Sequence, residues 1–422
     1  MIGIVADDLT GANDIGLMYA KNGWLTKVIS PYTAFDRIED VISDTLILET
    51  NSRCDAPHIA YKKVQEATEA LLQLAPTMYV KKTCSVFRGN IGAEFDAMLD
   101  TLGEDFAIVS VAFPDNGRTT IHGIHYVWDV PLAETPFNSD PAHPMTESSL
   151  LKILSSQTKR EVHLLDVAII DEGEVAMKRC IEKARALGGY LICDSRDQRD
   201  LNLIAKVCSE ERCIFGSSAI GEEIPQYQPK EHYGHKLLHL PKDHRGSLIL
   251  SGSTTPQSKA QAAAYRASGK SYVDIDGARL FSTDADTYKR EIVKAAVKKL
   301  GENEPVLLAV LNEIEDLKKS YRAAQQAGLS QLEANIAVSR TLGDLAKAIY
   351  DQTRYNRIIV AGGESSNHVA EALGFRGNIV LEEIEPGLPY GIALFKEPVA
   401  VVFKSGSFGK PQFLLKALKA LA

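Results

Sequence analysis

Short runs of apolar residues alternate with helix-length amphipathic stretches along the chain. The first apolar run covers residues 3–6, and it is followed by a polar stretch at 7–11 and by a helical pattern at 12–22. Further strand-length runs lie at 45–48, 77–80, 106–111, 162–165 and 190–193. Strands alternating with helices are typical of parallel sheets, because a parallel pair needs a long crossover connection. The pattern predicts an α/β domain in the first half of the chain.

The alternation of apolar runs and helical patterns stops at residues 225–245, which are rich in Pro, Gly, Tyr, His and Lys. Strand patterns then resume, at 247–250, 306–310, 357–360 and 399–403, and a strong helical pattern covers 330–350. A chain of 422 residues is too long for one ordinary core. We therefore expect two α/β domains with mainly parallel sheets, at 1–235 and 246–422, joined by a linker that acts as a hinge.

Composition and charge narrow the class of protein. Hydrophobic residues make up 45% and charged residues 24% of the chain, as in ordinary globular proteins. The net charge of −8 disfavours nucleic acid as a partner, and the apolar runs are too short to span a membrane. The six cysteines are scattered without a C-x-x-C pair, which fits a reducing compartment. We expect a cytoplasmic protein that binds a small molecule.

The first candidate loop combines two adjacent carboxylates, Asp7 and Asp8, with the hydroxyl of Thr10. Ligands of open α/β sheets gather at the carboxyl ends of the strands, where this loop lies. One carboxylate could accept the proton of an attacking hydroxyl or hold Mg²⁺. Alternatively, Asp8 or Thr10 simply caps the following helix. The residues alone leave both interpretations open.

The loop after the strand pattern at 77–80 is rich in cations and polar groups. Its candidate ligand residues are Lys81, Lys82, Thr83, Cys84, Ser85, Arg88 and Asn90. Arg suits a planar carboxylate and Lys acts as a point charge, so the loop is typical of a carboxylate-binding pocket, although solvated surface cations are an equal alternative. Arg53 and Arg118 also follow strand patterns, and an exposed arginine beside a plain turn is the ordinary interpretation of Arg118.

Three loops of the second half are rich in small residues, at 252–257, 362–366 and 404–409. Small residues let the backbone approach phosphates closely, and a helix N-terminus favours anions. The candidate nucleotide-binding residues are Ser253, Gly362, Gly363, Glu364, Ser365 and Gly406. Since neither a P-loop nor a dinucleotide fingerprint is present, the pattern predicts a nucleotide site of another type.

The histidines do not assemble into a persuasive metal motif. His232, His235, His239 and His244 cluster in the predicted linker, where solvation is the simpler interpretation. His122 and His125 lie three apart, but no further Cys or His completes a ligand set. We leave the metal ligands unassigned.

These loops together resemble those of the four-carbon acid sugar kinase family, over essentially the whole chain. The matching motifs are residues 6–14, 82–94, 113–118, 362–365 and 404–409. The resemblance implies a sugar-acid-binding N-terminal domain, a nucleotide-binding C-terminal domain and an active site in the interdomain cleft. It also implies that the residues of the first two loops, with Arg53, lie on the substrate side, and that the glycine-rich loops bind ATP.

The resemblance leads to a functional hypothesis. The protein would use ATP and Mg²⁺ to phosphorylate the 4-hydroxyl of a four-carbon acid sugar, D-threonate or D-erythronate, with Asp8 as base and Asp7 as the alternative. Lys82, Arg53 or Arg88 would hold the substrate carboxylate. The alternatives are a 3-oxo-tetronate 4-kinase, a non-catalytic sugar-acid sensor and a 2-hydroxy-acid dehydrogenase. A homodimer is compatible with the sequence.

Overall fold

The computed structural model describes residues 1–35, 42–140, 142–229, 233, 239–302 and 304–422. The chain divides into two compact units, an N-terminal unit (Met1–Lys236) and a C-terminal unit (Leu237–Ala422). Part of the predicted linker at 225–245, with His232 and His235, lies outside the described residues. The predicted domain limits therefore stay a prediction.

The N-terminal unit is built from short strands and the helices that connect them. Its strands are β1 (Ile2–Ala6), β2 (Thr26–Ile29), β3 (Thr45–Glu49), β4 (Met78–Lys82), β5 (Phe106–Ser110), β6 (Arg118–Ile121), β7 (Ile124–Val127), β8 (Val130–Pro131), β9 (Val162–Leu165), β10 (Gly189–Cys193) and β11 (Cys213–Gly216). Its helices are α1 (Leu9–Lys21), α2 (Pro57–Leu72), α3 (Ile91–Leu102), α4 (Leu150–Ser155), α5 (Val167–Asp171), α6 (Glu174–Leu187), α7 (Gln198–Val207) and α8 (Ile220–Glu223).

The main sheet of this unit has the strand order β2-β3-β1-β4-β11-β5-β10-β9, and neighbouring strands are parallel. Strands β1, β3, β4 and β5 are buried along their whole length, as expected of a parallel sheet covered on both faces. A small antiparallel sheet, β6-β7-β8, lies beyond β5 in the chain.

The C-terminal unit follows the same plan with one antiparallel addition. Its strands are β12 (Ser247–Ser251), β13 (Ser271–Ile275), β14 (Val306–Val310), β15 (Arg357–Ala361), β16 (Gly377–Glu385), β17 (Leu388–Ala393) and β18 (Ala400–Lys404). Its helices are α9 (Pro256–Ala267), α10 (Ala285–Gly301), α11 (Ile314–Gln326), α12 (Gln331–Thr353), α13 (Gly363–Leu373) and α14 (Phe413–Ala420). The strand order is β13-β14-β12-β15-β18-β17-β16.

Strands β13, β14, β12, β15 and β18 are parallel, whereas β17 is antiparallel to both β18 and β16. Side chains of the central strands pack against α9 and α14, with Ile249, Ile359 and Phe413 fully buried. Helix α12 begins with a capping box of Ser330 and Glu333, which satisfies backbone donors at its N-terminus. The predicted α/β class with mainly parallel sheets is confirmed.

The structure corrects several predicted boundaries. The first helix was expected at 12–22, but it begins at Leu9 because the Asp8 side chain caps it. Strands β2, β11 and β13, the small sheet and the β16–β17 hairpin were not predicted, since most of these strands are short or lack a continuous apolar run. No described helix is long and apolar enough to cross a membrane.

Arg357, at the start of β15, is 2% exposed and ties the end of the chain to the unit. Its guanidinium donates to the carbonyls of Leu421 (2.6 Å), Asp243 (2.7 Å) and Pro241 (2.9 Å) and to the Asn356 side chain (2.6 Å). Each of these hydrogen bonds is charge-assisted and therefore strong. Arg357 thus links β15 firmly to residues 241–243 and to the C-terminal helix.

We expect Arg357→Met to lower the free energy of unfolding by about 3 kcal/mol, because the carbonyls are left without donors in the interior. The measurement is urea unfolding followed by circular dichroism. Arg322→Met, at an exposed position of α11, is the matched control and should change stability by less than about 0.5 kcal/mol. Equal stability of the two variants would refute this role of Arg357.

Candidate active site

The predicted substrate-side residues meet at one edge of the N-terminal sheet. Ala6 at the end of β1 pairs with Glu49 of β3 and with Lys82 of β4, while Gly216 of β11 pairs with Lys82 and with Ser110 of β5. Parallel strands in this register end together. The segments that follow them therefore emerge side by side, and these segments are residues 7–8, 50–53, 83–90, 111–117 and 217–218.

Asp7 is held by Arg53, which arrives from the segment after β3. The Arg53 Nε and Nη2 atoms donate to the two Asp7 oxygens at 2.7 and 2.8 Å. The Asp7 carbonyl also accepts from the backbone N–H of Ser52 at 3.1 Å. Burial alone would raise the pKa of Asp7, but the charges of Arg53, Lys81 and Lys82 bring it down to about 2. Asp7 is therefore a carboxylate at neutral pH.

Asp8 caps the first helix, which was one of the two interpretations that the sequence left open. Its Oδ1 accepts from the Gly11 N–H and from the Thr10 hydroxyl (3.1 Å), which makes it the N-cap of α1. Its Oδ2 pairs with Arg53 Nη1. All four oxygens of the acidic pair thus have a partner within the protein. The role of Asp8 or Asp7 as base stays a prediction.

Arg53 is committed to this clamp. Burial would lower the pKa of the Arg53 guanidinium, but Asp7 and Asp8 raise it well above its usual value. The Asn90 side-chain amide donates to the carbonyls of Ser52 (3.1 Å), Arg53 (3.3 Å) and Asp55 (2.8 Å), so it fixes the segment that carries Arg53. Asn90 therefore acts on the site indirectly, by holding the backbone of residues 52–55 in place.

Lys81 lies in a fully buried ion pair with Glu94 of α3. Its Nζ is 2.6 Å from Glu94 Oε2, and Glu94 Oε1 accepts from the Ser52 hydroxyl at 2.7 Å. Both side chains are almost completely inaccessible. Burial raises the pKa of Glu94, while Lys81 opposes that shift. The charge of Lys81 is therefore balanced by the protein itself.

Lys82 is different, because it is buried without an ion pair to any described carboxylate. Its Nζ donates to the Thr83 carbonyl at 2.6 Å, and a Cβ placed on Gly11 would lie 3.2 Å from that Nζ. The ammonium thus lies over the first turn of α1. Asp7 and Asp14 feel its charge, but neither forms a direct ion pair with it. A buried cation without a direct ion pair is costly, so its environment suits an anionic ligand.

The remaining predicted residues of this loop surround Cys84. The Arg88 Nε donates to the Cys84 sulfur at 3.4 Å, and its Nη1 to Asp140 at 2.5 Å. Burial raises the pKa of the Cys84 thiol, but Arg88 and Arg53 bring it to about 7. Thr83 is fully buried, and its N–H donates to the Gly216 carbonyl at 2.8 Å.

His125 fixes the position of Ser85, whose carbonyl accepts from His125 Nε2 at 2.9 Å. Burial lowers the pKa of His125 to about 4, so its ring is neutral. Arg118 is 6% exposed and donates to the Asn116 carbonyl, and burial lowers its pKa. The exposed-turn interpretation of Arg118 is wrong, because Gly117 adopts φ +68° and turns the chain inward.

The predicted nucleotide residues meet at the corresponding edge of the C-terminal sheet. Ser251, Ala361 and Lys404 are register partners at the ends of β12, β15 and β18. Gly362 has φ +130°, which favours glycine. A Cβ on Gly406 would lie 2.3 Å from Ser253 Oγ, so the two loops are in contact at this position.

Hydroxyls hold these loops to one another. Thr255 Oγ1 donates to the Gly406 carbonyl at 2.6 Å, and Ser258 Oγ donates to the same carbonyl at 3.1 Å. Ser365 Oγ lies 3.3 Å from Ser339 Oγ of α12. Gly363 and Ser365 lie in the first turn of α13, whose free N–H groups favour an anion. Glu364 in the same turn pairs with His368 at 3.0 Å.

The sequence missed several residues of both sites. Lys404 is fully buried and donates to the carbonyls of Ser405 (2.7 Å) and Gly406 (3.3 Å), and burial lowers its pKa to about 7. Asn312 donates to the Ser253 carbonyl at 2.9 Å. Asp14 and Ser218, which are hydrogen-bonded to each other, were likewise not selected. For Asp14 the available signal was its spacing of four from Thr10 on α1, which places both on one face.

A possible metal-binding group in the described part of the chain is His122, Asp166 and Asp194, with ligand atoms within 4.8 Å of one another. It includes none of the predicted site residues. His122 Nδ1 is 2.8 Å from Asp166, and the Asp194 oxygens accept backbone N–H groups of His122, Gly123 and Val167. These atoms already have partners.

Family models match both parts of the chain. Residues 2–224 match a sugar-binding N-terminal domain, and residues 248–414 match a nucleotide-binding C-terminal domain. A 3-oxo-tetronate kinase of Burkholderia multivorans is 32% identical over 434 aligned positions, covering 100% of this chain and 97% of the relative. The chain belongs to the four-carbon acid sugar kinase family.

Other members of the four-carbon acid sugar kinase family agree with this assignment. A D-threonate kinase of Salmonella typhimurium is 29% identical, covering 98% of this chain and 97% of the relative. A crystal structure of a Salmonella typhimurium protein has a TM-score of 0.84 at 28% identity, covering 100% of this chain and 99% of that one. The protein is thus a phosphotransferase with an alcohol group as acceptor, and the sensor and dehydrogenase alternatives are set aside.

The Lys81–Glu94 pair should be essential for stability. We expect Glu94→Gln to lower the free energy of unfolding by about 3 kcal/mol, because it leaves the Lys81 ammonium buried without a counter-charge. Asp351→Asn, in the half-exposed Lys347–Asp351 pair of α12, is the control and should cost less than about 0.5 kcal/mol. Chemical denaturation measures both values. A stable Glu94→Gln variant would show that the charge of Lys81 is balanced elsewhere.

Proposed function

We propose that the protein transfers the γ-phosphoryl group of ATP to the 4-hydroxyl of a four-carbon acid sugar, with D-threonate or D-erythronate as substrate. The observation that carries this proposal is the meeting of three small-residue loops at the ends of β12, β15 and β18. Backbone N–H groups can approach phosphate oxygens there without hindrance from side chains.

ATP would bind along these loops in the C-terminal unit. Ser253 and Gly406 approach each other closely enough for their backbones to line one groove, and Gly362 leads into the N-terminus of α13. Gly363 and Ser365 offer N–H groups at that helix end, where the helix dipole favours negative charge. We therefore propose that the six predicted nucleotide residues together bind the triphosphate of ATP.

Mg²⁺ would enter with ATP. Because Mg²⁺ retains several waters and binds substrate phosphates with one or two carboxylates, a complete protein cage is not needed. Among the predicted nucleotide residues, Glu364 is the one that carries a carboxylate, and its side chain is 44% exposed. Mg²⁺ would neutralise charge on the transferred group when bound.

The sugar acid would bind at the carboxyl edge of the N-terminal sheet. The ammonium of Lys82, which has no described ion-pair partner, is our first candidate to hold its carboxylate, and Arg118 adds positive charge. Arg88 lies in the same loop, but Asp140 balances its charge. Lys81 and Arg53 are neutralised by Glu94 and by the acidic pair, so we assign them supporting roles. Thr10, Thr83, Cys84 and Ser85 add polar groups beside these cations.

The choice of sugar acid has one alternative. A relative named 3-oxo-tetronate kinase and a relative named D-threonate kinase are 32% and 29% identical to this chain. A 3-oxo-tetronate would present the same carboxylate and the same 4-hydroxyl, so the cations described above suit both. We also propose that the protein is cytoplasmic. The homodimer stays a prediction, and light scattering would measure the mass of the protein in solution.

Phosphoryl transfer depends on positioning and on charge stabilisation more than on covalent chemistry. Lys82 would fix the substrate carboxylate, and the distance from carboxylate to 4-hydroxyl would then select substrates of four carbons. The loop N–H groups of the C-terminal unit would fix the phosphates. Fixing both partners in this way supplies much of the rate enhancement.

Turnover should depend on the sugar acid. With ATP and Mg²⁺, we expect ADP formation with D-threonate or D-erythronate to exceed that without any acid by at least about 100-fold. The acids to compare are D-threonate, L-threonate, D-erythronate and 3-oxo-tetronate, with phosphorus NMR to locate the ester at C4. A rate that no acid increases would refute the proposed substrate class.

Nucleotide affinity should depend on the backbone contact at Gly406. We expect Gly406→Ala to weaken ATP·Mg²⁺ binding at least about tenfold, because its Cβ would lie 2.3 Å from Ser253 Oγ and displace the Ser253 side chain, which is itself a predicted nucleotide residue. Gly301→Ala is the matched control, since a Cβ there meets nothing within 4 Å, and its affinity should stay within about twofold. Isothermal titration calorimetry measures both. Equal affinities would argue against this groove as the ATP site.

A further inference from the structure

Asp14 is a buried carboxyl of α1 that no other part of the proposed mechanism uses. It is 6% exposed, and its Oδ2 accepts from the Ser218 hydroxyl, which arrives from the segment after β11. Its Oδ1 is buried and has no hydrogen-bond partner. A buried oxygen without a donor is costly, so a ligand hydroxyl is a natural partner for it.

Asp14 belongs to the same electrostatic cluster as the proposed substrate cation. It lies one helical turn beyond Thr10, on the same face of α1. Lys82 from β4 and Arg118 from β6 stabilise its charged form, whereas Asp8 at the start of α1 opposes it.

The acidic pair is less suited to accept a proton. Both Asp7 oxygens accept from Arg53, and both Asp8 oxygens are occupied by the helix cap and by Arg53. A base needs a free lone pair directed at the proton that it removes. Asp14 Oδ1 has such a lone pair in this structure.

We propose that Asp14 is the general base that removes the proton of the substrate 4-hydroxyl. This inference rests on the proposed function. The hydroxyl oxygen forms a bond to the γ-phosphorus, the bond from that phosphorus to the bridging oxygen breaks, and ADP leaves with the electron pair. The hydroxyl proton goes to Asp14 Oδ1 and is later released to solvent.

The protonation behaviour of Asp14 is consistent with this role. Burial raises its pKa to about 6, despite the opposing effects of Lys82 and Ser218. Below that pH the carboxyl is protonated and cannot accept the proton, so kcat should fall. A general base is most effective when its pKa lies near the working pH. The pKa of Asp7, at about 2, is far from that range.

The test is the pH profile of kcat for the full-length enzyme with ATP, Mg²⁺ and the sugar acid that gives the highest turnover. We expect the wild-type kcat to fall on the acid side with an apparent pKa near 6. Asp14→Asn should lower kcat at least about 100-fold and abolish the acid limb, while KM for both substrates changes little. Thermal unfolding checks that the variant is folded.

Ser218→Ala provides a second readout that a merely structural role would not change. Without the Ser218 hydroxyl the charged form of Asp14 is less stable, so the acid limb should move to higher pH while kcat on the alkaline side recovers. Glu49→Gln is the matched control. Glu49 is another buried carboxyl, at the end of β3, and burial raises its pKa to about 7.

The outcomes separate the two proposals. An acid limb lost in Asp14→Asn and kept in Glu49→Gln supports Asp14 as the base. A limb that persists in Asp14→Asn, or disappears in Glu49→Gln, overturns the inference while the kinase function stands. If Asp14→Asn does not fold, an unmoved limb in Ser218→Ala overturns it. If the wild type turns over no sugar acid, the proposed function fails, and the inference fails with it.

Discussion

Charge balance in a buried environment is the constraint on which the N-terminal site depends. The carboxyl edge of its sheet holds Asp7, Lys81, Lys82, Glu94 and Asp14 with almost no exposure to solvent. Removing ions from water is expensive unless each finds an opposite charge or several hydrogen bonds. Arg53 with the acidic pair, and Lys81 with Glu94, meet this requirement within the protein. Their arrangement fixes the segments after β1, β3 and β4 relative to one another.

The charges that remain incompletely balanced indicate function. The Lys82 ammonium has no described ion-pair partner, and Asp14 Oδ1 has no donor. A sugar acid carries a carboxylate and several hydroxyls, so it complements both groups. Perturbed titration at such a place is typical of active sites. The C-terminal loops follow a different principle, because most of their residues are small and leave backbone N–H groups accessible to an anion.

The sequence predicted the fold class and most strands of the two sheets because buried parallel strands are continuous apolar runs. It failed at strands such as β2 and β11, which have four residues each, and at the β16–β17 hairpin, whose partly exposed strands do not follow the alternation with helices. It also put the start of α1 too late, because the cap by Asp8 was only one of two open interpretations of that residue.

By itself, the sequence determined which residues follow each strand, and therefore that cations lie in the first half of the chain and small-residue loops in the second. Only the tertiary structure decided how those residues are used. It joined Arg53 to the acidic pair, gave Lys81 to Glu94, left Lys82 unpaired and brought Ser218 to Asp14. The physical reason is that ion pairing acts over a few ångströms between residues far apart in the chain, and that separation is set by strand order and register, which no local pattern encodes.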